Sequence, residues 1–265
     1  MRNVAIAVLT IIFVVALGAD VLSPASYKEQ FRQAPNAGPS AQHPLGTDEL
    51  GRDRLSRLLY GSRISLMLAP AAALLATAIA AGAGATAGFL GGRWERTFLS
   101  ATDLSLSLPW MLFLMTVRAL LPLDVAPAVS IAITFLLLGA LGWAGPARIV
   151  RAAVVAMRRS EFMLQARGSG STGFRIVLVH LLPNLKPVLI TQFLISIPVF
   201  ILSEANLGLL GLGVAEPMPS WGSLLRDLER FSEVRSNPWL LAPAVMLVAV
   251  VICFQIIARP KDLAT

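Results

Sequence analysis

Charge is scarce in this sequence. Of 265 residues only 14% are Asp, Glu, Lys or Arg, against about 25% in an ordinary soluble domain. Hydrophobic residues make up 56% and the mean hydropathy is +0.72. A water-soluble chain of this length could not hide so much apolar surface in one core, so much of it must face lipid or other lipid-buried helices. Lysine is scarcer still: Lys28, Lys186 and Lys261 are the whole set, and none follows a glycine. That excludes the G-x-x-x-x-G-K-[ST] phosphate loop, so the chain has no Walker-type ATP site of its own. The two histidines, His43 and His180, lie too far apart in sequence to suggest a catalytic metal or a Ser/His/Asp set. A single cysteine, Cys253, excludes an internal disulfide and any cysteine-clustered metal site, and reads as a small hydrophobe in a helix. Nothing here makes a case for an enzyme. The net charge of +7 could point to nucleic acid. No basic stripe interleaved with aromatics appears, however, and the basic residues sit between apolar runs, as in membrane proteins.

What is present is a series of long apolar stretches. A bilayer core of about 30 Å needs roughly 20 apolar residues as helix. Six stretches meet that need, at about 3–22, 64–90, 104–121, 125–147, 187–213 and 236–258. The expected fold is therefore all-α: one polytopic membrane domain of six transmembrane helices across 1–265. An even number of spans puts both termini on one side. With the termini inside, the inner segments carry twelve Lys/Arg and the outer segments nine, which favours cytoplasmic termini. The first stretch has a rival reading. Arg2, an apolar run and Ala16-Leu17-Gly18-Ala19 resemble a cleavable signal peptide. The run from Ala71 to Gly88 is dense in Ala and Gly and fits a close helix–helix seam.

The connection 148–186 is too long for a simple turn. It reads as a short helix with Ser160 as N-cap, broken by Gly168 and Gly170, then a second helix stopped before Pro183. A short amphipathic helix behind a glycine hinge suits docking into a partner's groove; equally, it can be an interfacial helix that merely ties two spans together. A resemblance decides between them. Leu164-Gln165-Ala166-x-x-x-Gly170, with Ile176 and Pro183 following, resembles the EAA loop of ABC importer permeases, E-A-A-x-x-x-G then I-x-x-x-x-x-P. Leu164 and Gln165 depart from the motif's Glu and first Ala, and the nearby Glu161 does not restore the carboxylate at its position.

Two more segments narrow the family. The stretch His43-Pro44-Leu45-Gly46-Thr47-Asp48-Glu49-Leu50-Gly51-Arg52-Asp53, continuing to Leu66, is similar to the region before the second span in C-type subunits of dipeptide, oligopeptide and nickel permeases. So is Leu202-Ser203-Glu204-Ala205-Asn206-Leu207-Gly208 through Val214, ending in Pro219-Ser220-Trp221-Gly222. The resemblance implies a permease subunit of an ATP-driven importer of dipeptides or oligopeptides, with nickel chelates or another small solute as the alternative cargo. It implies partners: a second, similar permease, two ATP-binding subunits, an extracytoplasmic substrate-binding protein and the lipid bilayer. ATP and Mg would sit on the ATPases, with no cofactor on this chain. The ATPase-coupling residues would be Glu161, Phe162, Gln165, Ala166, Arg167, Gly170, Arg175, His180 and Pro183.

Other residues carry two readings each. His43, Asp48, Glu49 and Asp53 could be a metal site, or a turn-rich loop whose glycines and carboxylates satisfy backbone N–H groups and pair with Arg52, Arg54 and Arg57. Arg118 lies in an apolar span near its outer end: it can snorkel to headgroups or face the pathway and meet a peptide carboxylate. Glu204 reads as a hydrogen-bonded seam to another helix, or as part of the substrate path. Trp221 reads as an interface anchor or, with Asp48, Arg52 and Asp53, as part of a surface receiving the binding protein. A stand-alone channel or secondary transporter would need mid-membrane charges that the spans, Arg118 and Glu204 apart, lack.

Overall fold

The computed structural model describes residues 1–120, 126–170, 172–229, 234–235 and 237–259. The expected turn at 122–124 and the chain beyond 259 lie outside that set. Among the described residues no strand occurs, only one isolated bridge between Thr47 and Asp53. The helices are α1 (Arg2–Leu17), α2 (Ala19–Leu22), α3 (Arg54–Leu90), α4 (Gly92–Ser107), α5 (Trp110–Leu120), α6 (Pro127–Leu141), α7 (Ala144–Met157), α8 (Glu161–Gly168), α9 (Gly173–Arg175), α10 (Leu182–Leu209), α11 (Trp221–Leu225) and α12 (Ala242–Ala258). By length and composition four segments can cross a membrane: 54–90, 127–157, 179–209 and 238–258. The α4–α5 pair, bent by 71°, makes a fifth if counted as one span. The expected sixth, α1, has 16 residues and packs on α3 and α12.

The longest helix, α3, organises the rest. Asp53 starts it, its side chain accepting from the Ser56 N–H at 2.7 Å. Its 37 residues rise about 55 Å, well beyond a 30 Å bilayer core. The span expected from Ile64 therefore begins as a helix at Arg54, and its first turns stand clear of the apolar run. The Ala/Gly seam is realised. Ala72, Ala73, Ala76, Ala80, Ala87 and Gly88 are buried along one side. A Cβ on Gly84 would stand 2.4 Å from the Ala147 carbonyl oxygen, and one on Gly139 would stand 2.8 Å from that of Ala72. Only hydrogen at these positions lets α3 lie against α6 and α7 so closely.

Three boundaries move from where the sequence placed them. The connection expected at 93–103 is helical: α4 runs from Gly92 to Ser107 and buries Phe98 and Thr102. Its carboxylates have partners on α7, Glu95 with Arg151 and Asp103 with Arg148, while Arg148 Nε donates to the Thr102 hydroxyl at 2.8 Å. Charges lying between two expected spans are thus matched helix to helix. The bend follows at Leu108-Pro109, where proline ends the α-helical ladder. The fourth span, expected to stop at 147, continues through α7 to Met157. The fifth, expected to 213, stops at Leu209. Gly211 there adopts φ +74°, and Leu212 N–H returns to the Leu207 carbonyl at 2.8 Å, closing the helix end.

Pro183 does not stop the helix before it. Residues Ile176–Leu181 form a π-helical stretch that runs directly into α10. The wider turn accommodates a ring lacking an N–H, and the Asn184 side-chain amide donates to the His180 carbonyl at 2.7 Å.

Candidate functional site

The polar chemistry gathers at the two ends of α3. At its C-terminal end, α7 stops at Met157, and Ser160 opens the next helix through its carbonyl, which accepts from Met163 and Leu164 N–H. The Ser160 hydroxyl, expected as an N-cap, donates back to the Met157 carbonyl instead. Among the described side chains of the short helix α8, Met163 is fully buried and packs with Ile176 and Phe89 of α3. The other face of the helix is open. Glu161, Leu164, Gln165 and Gly168 are exposed, Leu164 at 58%. Phe162, Ala166 and Arg167 lie in the backbone of α8, and their side chains fall outside what the structure describes.

After α8 the chain turns at Gly170, with φ +74° and an open surrounding. Thr172 then caps α9, its hydroxyl accepting from Arg175 N–H. Arg175 and Pro183 are exposed and His180 is half-buried. Arg158 Nη1 reaches back to the Gly88 carbonyl at 3.1 Å, fixing the start of this segment to the end of α3. The geometry is a short helix anchored on one side, exposed on the other, and hinged at a glycine before a continuous helix into the bundle.

At the N-terminal end of α3 the turn-rich reading of His43 to Arg57 holds. His43 Nδ1 and Asp53 Oδ2 are 2.8 Å apart, and Asp53 Oδ1 is occupied by the Ser56 N–H and hydroxyl. Asp48 Oδ1 accepts from Leu50 and Arg52 N–H, and its Oδ2 pairs with Arg52 Nε at 2.6 Å. Gly46 and Gly51, with φ +70° and +74°, pass so near the Ala37 and Phe31 carbonyl oxygens that a Cβ would stand at 2.3 Å. Among the described residues no group of His, Cys, Asp or Glu could hold a metal ion.

This loop is fastened to a segment the sequence did not connect with it. Glu216 receives Arg52 Nη1 at 2.6 Å and Arg57 Nη2 at 3.1 Å, and Asp227 receives Arg54 Nη1 at 2.6 Å. Burial pushes the Glu216 carboxyl up, but Arg57 and Arg52 outweigh it and hold it below the ordinary carboxylate value. Nothing in the local sequence pairs residues some 160 positions apart, which is why Glu216 and Asp227 were not singled out.

The four side chains expected on a docking surface are buried inside this chain: Asp48 at 6% exposure, Arg52 at 8%, Asp53 and Trp221 at 0%. Asp48 and Arg52 line a cavity of 320 Å³ with Arg57 and Glu216 rather than an open surface. Trp221 is neither an interface anchor nor a surface residue; its Nε1–H donates to Ser62 of α3 at 2.9 Å. Around it α11 is drawn tightly against α10, where a Cβ on Gly208 would stand 2.2 Å from the Gly222 carbonyl carbon.

Arg118 is part-buried and its guanidinium is tied to backbone and hydroxyl groups of neighbouring segments. Nε donates to the Leu212 carbonyl at 2.9 Å, one Nη to the Ser130 hydroxyl at 2.8 Å, and the other to the Gly213 carbonyl. It joins α5 to α6 and supplies donors to the carbonyls exposed where α10 ends. Glu204 is fully buried on α10, its carboxylate set against Ser220 and Gly222 at the start of α11. The carboxylate thus lies at a seam between α10 and α11.

Known proteins share this pattern over most of its length. The chain is 34% identical to the dipeptide transport system permease protein DppC of Bacillus subtilis, over 94% of this chain and 76% of that one. It is 34% identical to the oligopeptide transport system permease protein OppC of Haemophilus influenzae, over 90% and 78% of the two chains. The same identity relates it to the OppC protein of Escherichia coli K12, over 96% and 85%. A family model covers residues 78–259, from the middle of α3 to the end of α12 and including the hinged helix. With its bundle of apolar helices and the short helix exposed at one end, this polytopic all-α membrane protein belongs to the binding-protein-dependent transport system inner membrane components.

Proposed function

We propose that this chain is the membrane-spanning subunit of an ATP-driven importer that carries dipeptides or oligopeptides across the cytoplasmic membrane. The observation that carries the reading is its similarity, across three-quarters or more of each relative, to dipeptide and oligopeptide transport permeases. The six-span arrangement takes α1 and the bent α4–α5 pair as one span each. Both termini then face the cytoplasm, as does α8, while the 23–53 and 210–229 segments face outward.

In this arrangement α8 is the coupling helix. Its open face, with Glu161, Leu164 and Gln165, sits in a groove of one of two ATP-binding subunits, which hold the ATP and Mg that this chain does not bind. An exposed leucine stands where the EAA motif has its carboxylate, so the contact there is apolar rather than ionic. Nucleotide-driven closure of the ATPases moves α8. The motion enters α10 through Gly170, Arg175, the π-helical turn and Pro183, and swings the spans between inward- and outward-open states. A second, similar permease completes the route, and an extracytoplasmic binding protein delivers the cargo to the outward end shaped by Arg52, Arg57, Glu216 and Trp221.

A C-terminally tagged chain, solubilised gently from native membranes, tests this by mass spectrometry of what co-purifies. A second permease together with one or two chains bearing P-loops is the expected result. A chain recovered alone, or only with copies of itself, overturns the importer reading.

A further inference from the structure

Midway along three helical segments an interruption or an unpaired polar side chain faces the same space. The α4–α5 segment breaks at Leu108-Pro109 and the 127–157 segment at Gly142-Trp143. Against the middle turns of α10 they enclose a cleft of 370 Å³ whose lining includes Ser105, Trp110, Gly142, Ile149, Gln192 and Ser196. Ser105, Gly142, Gln192 and Ser196 each lie near the centre of their own helical segments, the depth at which transporters keep their cargo sites.

The polar groups of this cleft have no partners in the chain. Pro109 and Pro146 have no N–H, so the carbonyls of Ser105 and Gly142, four residues before them, lose their helical donors. Gln192 is only 8% exposed, yet its amide makes no hydrogen bond, and neither do the hydroxyls of Ser105 and Ser196. An amide that opens onto the cleft with no protein partner keeps both its donors and its acceptor for whatever occupies that space.

We propose that this cleft is the part of the transport route that holds the backbone of a peptide in transit. The Gln192 amide both donates to and accepts from one peptide unit, while the Ser105 and Gly142 carbonyls accept from peptide N–H groups. The inference rests on the peptide-importer reading and adds a site to it. Other occupants fit poorly. A lipid chain would leave an amide and two carbonyls unpaired in hydrocarbon, and a neighbouring subunit's helix has already spent its backbone groups internally. An extended peptide keeps a free donor and acceptor at each residue. The apolar remainder of the wall, Trp110, Ile149, Ile195, Val199 and Phe200, demands no particular side chain. Recognition through the backbone suits a route that passes many sequences.

The test uses the assembled importer in proteoliposomes, with its partner permease, ATPases and binding protein, and a radiolabelled dipeptide as probe. Losing one buried hydrogen-bonding pair should make Gln192→Leu slower in uptake by about ten-fold, with unchanged subunit composition, and Gln192→Asn should recover part of the loss. In a Cys253→Ser background, Ser196→Cys should react with a water-soluble thiol reagent and be protected during peptide transport. Equal uptake by wild type and Gln192→Leu, or a cysteine that peptide does not protect, overturns the site. Loss of subunits from the Gln192→Leu complex makes the cleft a subunit seam and also overturns it. A wild-type complex that assembles but carries no dipeptide overturns the peptide reading itself.

Discussion

Gly208 and Gly222 show how much of this protein rests on single hydrogen atoms. With the two backbones so close, a methyl on Gly208 meets a carbonyl carbon at 2.2 Å, and backbone cannot move aside as a flexible side chain can. Gly208→Ala should cost about 1–3 kcal/mol of stability through overpacking, read as a lower melting midpoint of the detergent-solubilised chain. Gly82→Ala is the control: nothing lies within 4 Å of its Cβ, and the substitution in mid-helix should be neutral or slightly stabilising. A midpoint unchanged by Gly208→Ala would mean that α11 is not held on α10 as the geometry requires. The same scale accounts for Arg118. An arginine in an apolar run reads as a headgroup anchor or a pathway charge, and here its guanidinium donates to the carbonyls of Leu212 and Gly213. Those carbonyls are free only because α10 ends four residues earlier than its composition suggests.

At the scale of elements, the proposed coupling path runs from α8 into α10. Among the described side chains of α8, Met163 is the buried one, and the turn after the helix depends on Gly170 at φ +74°. Proline fixes φ near −65° and cannot take that conformation. Gly170→Pro should therefore insert and assemble normally yet lose ATP-dependent uptake, because α8 no longer meets the ATPase at its original angle. Full uptake by this variant would remove α8 from the coupling path. The short helix and its glycine hinge were legible in the sequence from 160–170. The continuity beyond them was not, because proline at 183 reads as a stop unless a π-helical turn precedes it. Likewise α4 read as a charged connection, since the partners of Glu95 and Asp103 stand about fifty residues away on α7.

For the whole molecule, the decisive tie joins the segment before α3 to the one after α10. Arg52 and Arg57 converge on Glu216, and Arg54 reaches Asp227. Because the Glu216 carboxyl is held below its ordinary value of 4.5 in the folded chain, the stabilisation is fully present above that value. It is lost as pH falls through the lower, folded-state value. The solubilised wild type should lose thermal stability progressively below about pH 4.5. Glu216→Gln should start lower at neutral pH and show a flatter decline. Parallel curves for the two proteins would show that this ion pair contributes nothing across that range, as exposed pairs sometimes do.

Composition alone made this an all-helical membrane protein, because so little charge and so many apolar residues in 265 positions leave no other solvent for the surface. Local patterns also placed the Ala/Gly seam of α3, the turns at Gly46 and Gly51 and the hinged helix near Gly170, since each depends on neighbours within a few residues. The tertiary structure decided everything that depends on distant partners. It turned Asp48, Arg52, Asp53 and Trp221 from a presumed surface into buried fastenings. It also gave Arg118 to the end of α10 and gathered Ser105, Gly142 and Gln192 around one cleft. Helical pattern is a short-range property of the chain, whereas burial and pairing are settled only when segments a hundred residues apart come to lie side by side.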